Sequence, residues 1–343
     1  MNPRASSFPR TADGADAGGG MMRALITGAS GSLGRHLASG LRARGWRVRR
    51  CVRAVGPADG DDAVALPDLD PASIGALPVD VDVVFHCAGL AHRYPPNEPS
   101  EAEFRRVNEH GTRFLAERYR EVASVFVLVS SIAALGAADG GPLRRSSVAR
   151  PQSAYGRSKL AGEVAAANAL ADSGTALRIV RFPAIYGPGA PGAVGQLAAW
   201  VARGRPLPSC AGHVVRSIIS MANAVDALAV IARSSALDGM WVAPTDAERL
   251  DVRAIAERIA AVLGRRLRVV PCPMVALRAM ATLSRVVPVP GLPAASSLDR
   301  LLESCIIEDD AMATLAGWRA PHSCEEGLRS ALAFTASEVA GES

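Results

Sequence analysis

Short apolar runs alternate with longer stretches of helical period along the first half of this 343-residue chain. The runs at 23–27, 47–53, 81–86, 124–130 and 176–182 read as strands, and the stretches at 32–44, 99–121 and 153–172 as helices. Strand and helix in turn predict parallel βαβ units, hence an α/β fold on a doubly wound parallel sheet. Beyond residue 183 the alternation weakens. Prolines and glycines multiply, helices dominate, and strands at 239–243 and 268–270 stand isolated. The expected organisation is an extension at 1–20, a sheet domain at 21–183, and a smaller substrate-binding lobe at 184–343 interleaved with the sheet.

Hydrophobic residues make up 49% of the chain and aromatics 4%, so the core is built mainly from Ala, Val and Leu. The formal charge of +5 is small for this length, and no long basic run occurs. That argues against nucleic-acid binding and suits an anionic ligand. No uncharged apolar stretch reaches about 18 residues, so no membrane span is expected. The apolar segment 269–289 is broken by prolines, Arg278 and Arg285. Six cysteines lie scattered, with no C-x-x-C pair and no zinc spacing. The expectation is a reducing, cytoplasmic setting and no metal site. Residues 1–20 are polar and Gly-rich without the apolar run of a signal peptide, which reads as a disordered extension with Met21 or Met22 as alternative starts.

The first apolar run ends in Thr27-Gly28-Ala29-Ser30-Gly31-Ser32-Leu33-Gly34, which opens a helix. A glycine turn between strand and helix is the context of dinucleotide binding: it permits a tight turn, close approach to a pyrophosphate, and close helix–strand packing. The helix N-terminus adds N–H donors and partial positive charge. Gly28, Ser30, Gly31, Ser32, Leu33 and Gly34 are therefore the candidate cofactor cradle, with a glycine corner that holds no ligand as the alternative. The second run ends Arg49-Arg50-Cys51-Val52-Arg53, with no acid before Asp59. An acid there would take the ribose 2′-hydroxyl of NAD(H), whereas arginine accommodates the 2′-phosphate of NADP(H). Arg53, helped by Arg35, favours NADP(H) with NAD(H) as the alternative. Asp68 and Leu69 are candidates to cap the adenine, or else belong to a turn before Pro71.

Of 38 basic residues only Lys159 is a lysine, and it stands four residues after Tyr155. An ammonium is a compact point charge, a guanidinium a wide planar fork. Residues i and i+4 share a helix face. The cation is thus expected beside the phenol, lowering its pKa from about 10 and tuning it for proton exchange near neutral pH. The alternative is a surface pair that happens to hold Tyr and Lys. Ser130 and Ser131 follow Val127-Leu128-Val129 at the carboxyl end of a strand, the end that faces the ligand crevice in open α/β sheets. Ser131 is the candidate to hold a substrate oxygen, Tyr155 to exchange its proton, and Lys159 to bind the nicotinamide ribose.

Together, the glycine turn, Ser131 and Tyr155-x-x-x-Lys159 resemble the extended short-chain dehydrogenase/reductase family, within it the NAD(P)-dependent sugar-nucleotide epimerase, dehydratase and reductase group. His86-Cys87-Ala88-Gly89 is similar to the family's turn beneath the nicotinamide, and Asn108-Glu109-His110-Gly111-Thr112 to its N-x-x-G-T segment. Arg181 to Gly189, Arg216-Ser217-Ile218-Ile219, Gly317-Trp318 and Glu326-Gly327-Leu328 are similar to further family stretches. The likeness implies a Rossmann-type sheet and a cofactor contacted by Ala88, Gly89, Asn108, Ser130, Tyr155, Lys159, Pro183 and Ile185. It also implies a nucleotide-sugar substrate held by Ser131, Tyr155 and Arg216, with Arg216 at the diphosphate. A homodimer through the helices at 99–121 and 153–172 is implied as well. His86 is expected as a structural turn residue and Asn108 as a support for Lys159.

Departures sharpen this reading. Ile132-Ala133 follow Ser131 where the dehydratases carry Asp-Glu, so water elimination lacks its acid/base pair. Phe182-Pro183-Ala184 fill the stretch where galactose-type epimerases place an asparagine, and the acid that usually ends their second strand is absent. Pro206-Leu207-Pro208 and Asp299-Arg300-Leu301-Leu302 resemble bacterial enzymes of surface-polysaccharide assembly. The expected function is an NAD(P)-dependent oxidoreductase at C4 of a nucleotide-activated sugar, specifically a 4-keto-6-deoxy-(N-acetyl)hexosamine-nucleotide reductase. The alternatives are a UDP-sugar 4-epimerase with tightly bound NAD, a steroid- or flavonoid-type ketoreductase, and a non-catalytic NAD(P)-sensing protein.

Overall fold

The computed structural model describes residues 21–91, 99–136, 141–190, 192–276, 279, 282 and 304–341; the expected extension at 1–20 and the segment 299–302 lie outside the described residues. Seven parallel strands form the central sheet: β1 Arg23–Thr27, β2 Arg47–Val52, β3 Ala63–Ala65, β4 Val83–His86, β5 Val125–Ser131, β6 Ala176–Phe182 and β7 Met240–Val242. Their order across the sheet is β3-β2-β1-β4-β5-β6-β7. The chain reverses direction between β1 and β4, and a crevice opens at the carboxyl ends of strands at such a switch point.

Both faces of the sheet are covered, which is why its strands read as unbroken apolar runs. Side chains alternate along each strand. Val83 and Phe85 of β4 and Val125 and Val127 of β5 enter one core. That core also holds Leu37 and Leu41 of α1 (Ser32–Ala43). Val84, Phe126 and Leu128 enter the other, with Ile74 of α2 (Pro71–Gly75).

The helix expected at 99–121 is in three pieces: α3 Glu101–Phe104, a π-helical segment Arg105–His110, and α4 Gly111–Tyr119. A sequence period cannot show this break, because its cause is tertiary. The Asn108 carbonyl accepts the Thr112 hydroxyl at 2.7 Å, and α5 (Ala154–Leu170) packs directly upon it. A Cβ on Gly162 of α5 would lie 2.2 Å from that carbonyl oxygen. Such π segments concentrate at functional sites. Ser153 caps α5, accepting the Gly156 N–H at 3.0 Å. The pattern of apolar positions also missed β3 and α2, each too short to show a period.

Helices and short strand pairs build the remainder. Ala184–Tyr186 pairs with Ile218–Ser220, Val215–Arg216 with Leu250–Asp251, and Leu207–Pro208 with Val269–Val270. A third core gathers Tyr186, Val201, Ile255, Ile259 and Leu328. The Tyr186 hydroxyl donates to Asp246 at 2.6 Å, and Asp246 also accepts from the Ser220 N–H and the Asn223 amide.

Gly162→Ala should destabilise the protein by about 1–3 kcal/mol, because the added methyl meets backbone that cannot yield. Gly75→Ala, with open space at its Cβ, should not destabilise it. Urea unfolding midpoints of the two variants provide the comparison.

Candidate active site

The glycine turn is sterically specified. Gly28 has φ +67°, and a Cβ there would lie 2.7 Å from the Ala88 nitrogen. At Gly34 a Cβ would lie 2.3 Å from the Gly28 carbonyl oxygen. Only glycine fits either place. Gly31 caps α1 without a side chain, and no acid stands in the first helical turn. The helix start is therefore left for an anion, and the cradle that a side chain would fill suits a dinucleotide pyrophosphate. Ser30 and Gly31 are exposed, while Ser32 and Leu33 are half-buried. The Ser32 hydroxyl donates to the Pro188 carbonyl at 3.3 Å, joining this corner to the 186–190 loop.

The arginines at the end of β2 divide. Arg50 pairs with Asp62 at 2.9 Å, and Arg49 donates to the Asp61 carbonyl at 3.0 Å. Arg53 is exposed, with no ion pair among the described residues. Arg35 reaches back to the Ser30 carbonyl at 3.3 Å. Asp68 is engaged by Arg106 at 2.5 Å and accepts the Leu69 N–H, whereas the Leu69 side chain is buried in the second core against Gly111.

At the end of β4 a buried chain of hydrogen bonds orders the loop. The Ala88 N–H donates to the Thr27 hydroxyl at 3.2 Å, and that hydroxyl lies 2.7 Å from His86 Nδ1. His86 Nε2 lies 3.0 Å from the Thr112 hydroxyl, whose proton is committed to the Asn108 carbonyl. Only one tautomer satisfies every group: Nε2 carries the proton and Nδ1 accepts. Burial, with a smaller push from Lys159, lowers the His86 pKa to about 3. His86 is thus a neutral link in the β4 strand rather than a turn residue. Asn108 brackets Leu90, accepting its N–H at 2.8 Å and donating to its carbonyl at 3.1 Å, and also donates to the Ser158 hydroxyl at 2.9 Å. It supports the neighbour of Lys159 rather than Lys159 itself. A Cβ on Gly89 would lie 2.9 Å from Asn108 Oδ1 and 3.9 Å from Lys159 Nζ.

Ser131, Tyr155 and Lys159 come together where β5 meets α5. The Tyr155 phenol is hydrogen-bonded to Ser131, and Lys159 Nζ donates to the Val129 carbonyl at 2.8 Å. The Phe104 ring stands 6.0 Å from that of Tyr155. The Tyr155 pKa is raised, not lowered, because burial disfavours the phenolate and the Ser131 hydrogen bond offsets only part of this. The ammonium is anchored on a backbone carbonyl and does not govern the phenol. Burial lowers the Lys159 pKa to about 8, opposed chiefly by Glu163.

Ser130 departs from the expected cofactor contact in its side chain, which is buried and donates to Glu163 at 2.5 Å. Glu163 also accepts three hydrogen bonds from Arg181, one from Nη2 at 2.5 Å and two from Nε at 3.0 and 3.1 Å. Neither Glu163 nor Arg181 was singled out in the sequence for chemistry. The available signal was an acid four residues after Lys159, on the same face of an Ala-rich helix. Pro183 is buried and Ile185 half-buried beside Ile219, while Arg216 is half-buried in the Val215–Arg216 pair. Pro183 directly follows Phe182, which pairs with Ser131 at the end of β5, and Ile185 packs against the core of the central sheet.

Below the unfolded imidazole pKa of about 6.5 the unfolded state binds a proton that buried His86 refuses. Stability should therefore rise with pH between about 3 and 6.5 through this residue, and be lost on acidification. Imidazole ¹⁵N spectra should show a neutral, Nε2-protonated ring at about pH 5; an imidazolium signal there would refute the hydrogen-bond chain.

The sequence matches the model of the NAD dependent epimerase/dehydratase family over residues 24–240. It is 38% identical over 169 residues to a ceramide reductase of Caulobacter vibrioides, across 48% of this chain and 46% of that protein, about half of its length. It is 35% identical over 176 residues to a dTDP-4-dehydrorhamnose reductase of Streptomyces griseus, covering 51% and 54% of the two chains. A UDP-glucose 4-epimerase of Vibrio cholerae is 25% identical over 314 residues, 89% of this chain and 93% of that protein. In fold, the chain is similar to the UDP-glucuronic acid 4-epimerase of Bacillus cereus solved in complex with NAD, with TM-score 0.70 at 17% identity over 92% of this chain and 99% of that one.

Proposed function

The chain belongs to the NAD dependent epimerase/dehydratase family, and from that membership we propose that it reduces the C4 carbonyl of a 4-keto-6-deoxy-(N-acetyl)hexosamine nucleotide with NADPH. The observation that carries this reading is the junction of Ser131, Tyr155 and Lys159 at the end of β5, beside Gly89 and the glycine turn. When bound, the nicotinamide cofactor supplies the hydride. Tyr155, held protonated by burial, gives its phenolic proton to the carbonyl oxygen as negative charge develops there. Ser131 orients that oxygen. Lys159, with one donor committed to Val129, keeps two N–H groups for the ribose hydroxyls. Arg53, with Arg35 beside the turn, accommodates the 2′-phosphate, and Arg216 clamps the diphosphate bidentately. A raised tyrosine pKa supports the reductive direction, in which the resting enzyme must hold the proton it donates. Two relatives whose names describe dTDP-keto-sugar reductases also support it. The protein acts in the cytoplasm as a homodimer in this reading.

The match to a UDP-glucose 4-epimerase over most of both chains favours a second reading, C4 epimerisation with retained NAD. Protein that carries NAD as purified, and interconverts UDP-sugars without added NADPH, would establish it. The first reading is tested by offering UDP-, dTDP- and GDP-4-keto-6-deoxy sugars with NADPH or NADH and following absorbance of the reduced nicotinamide. A keto-ceramide forms a further arm, given the ceramide reductase relative. NADPH oxidation with a nucleotide sugar is the expected result; oxidation only with the lipid ketone overturns it. Tyr155→Phe should lower kcat by about 10²–10⁴ with cofactor affinity retained. Arg53→Asp should raise KM for NADPH while sparing NADH.

A further inference from the structure

The last three residues of β5 meet three successive turns of α5. Ser131 is hydrogen-bonded to Tyr155, the Val129 carbonyl holds Lys159, and the Ser130 hydroxyl donates to Glu163. Tyr155, Lys159 and Glu163 are spaced by four residues, so they lie on one face of the helix. The first two contacts belong to the proposed chemistry. The third is fully internal, with Ser130, Glu163 and Arg181 only 5%, 3% and 6% exposed. Arg181 comes from β6, paired in register with Ser130 of β5, and its guanidinium lies 4.4 Å over the Trp241 ring of β7. The ion pair therefore ties α5 to three adjacent strands. A buried pair of this kind is weak evidence for stability, since apolar residues of like volume often serve as well. Its place behind the ammonium calls for another account.

We propose that Glu163 is a positioning residue: fixed by Ser130 and Arg181, it acts as the buried counter-charge that keeps Lys159 protonated and seated on the Val129 carbonyl. The groups acting on the Lys159 ammonium from each packed element can be named. His86 of β4 is neutral, with its pKa lowered to about 3, and Cys87 just beyond β4 is a neutral thiol pushed up to about 12. Tyr155 on the same helix is protonated, its pKa raised by burial. Glu163 leads the influences that favour the ammonium over the free amine, against the desolvation that disfavours it. Arg181, the one cation bonded to Glu163 among the described residues, approaches that carboxylate from the β6 side.

The role in catalysis rests on the reading given under Proposed function, but the charge on Lys159 can be measured without any substrate. Because the chain has a single lysine, protein grown on [¹³Cε]lysine gives one lysine side-chain signal. Its pH titration reports Lys159 alone. In Glu163→Gln the midpoint should fall by about one unit, the low end of what a close opposite charge confers. Glu163→Asp should restore most of it. If Glu163→Gln leaves Arg181 unpaired and fails to fold, the double variant Glu163→Gln with Arg181→Gln removes both charges and should titrate low as well. A midpoint equal to that of the wild type in a folded variant overturns the proposal. With an active substrate in hand, the alkaline limb of kcat should move down with the NMR midpoint. Failure of every nucleotide sugar to react would remove the reading of function and leave the titration result standing.

Discussion

The register between β5 and α5 is the constraint on which the candidate site depends. A strand carries its side chains to alternate faces, so a slip of one residue would exchange Ser130 and Ser131 and turn the wrong hydroxyl toward Tyr155. Close approach of the helix fixes that register. On the strand side, Gly156 accommodates the Ala133 carbonyl, where a Cβ would come within 2.4 Å of the oxygen; on the other, Gly162 accommodates Asn108. The helix is thus pressed between two backbone carbonyls, with little freedom to rotate or slide.

Burial then decides the electrostatics. The phenol, the ammonium and the imidazole near this junction are all displaced toward their neutral forms by loss of water. In such surroundings the balance between charged and neutral states is set by whichever full charges remain close by. This is a different arrangement from a cation tuning an adjacent phenol. Burial holds the tyrosine in its protonated form, and the lysine, under the proposal above, is the group whose charge the protein maintains.

Much of this was legible in the sequence. The five longest strands are plain, because buried parallel strands leave continuous apolar runs, and so are the helices α1 and α5. The glycine turn was plain because φ and close contact at Gly28 and Gly34 allow no other residue. The lone lysine marked its own helix. The rest arises from tertiary contacts that no local pattern encodes. The break at Arg105–His110 exists because α5 rests on the Asn108 carbonyl. The inward turn of Ser130 exists because Glu163 and Arg181, far apart in sequence, meet behind it. The rise of the Tyr155 pKa follows from burial, and a spacing of four residues carries no information about solvent.

The outer strands of the sheet carry a separate consequence. β3 and β7 have three residues each, against seven for β5 and β6. Edge strands this short offer few free amide and carbonyl groups to template an added chain, and at β7 the Trp241 carbonyl is already taken by Arg145. Short edges of this kind disfavour lateral growth of the sheet, the hazard that an all-parallel, Val-rich sheet would otherwise carry at its margins.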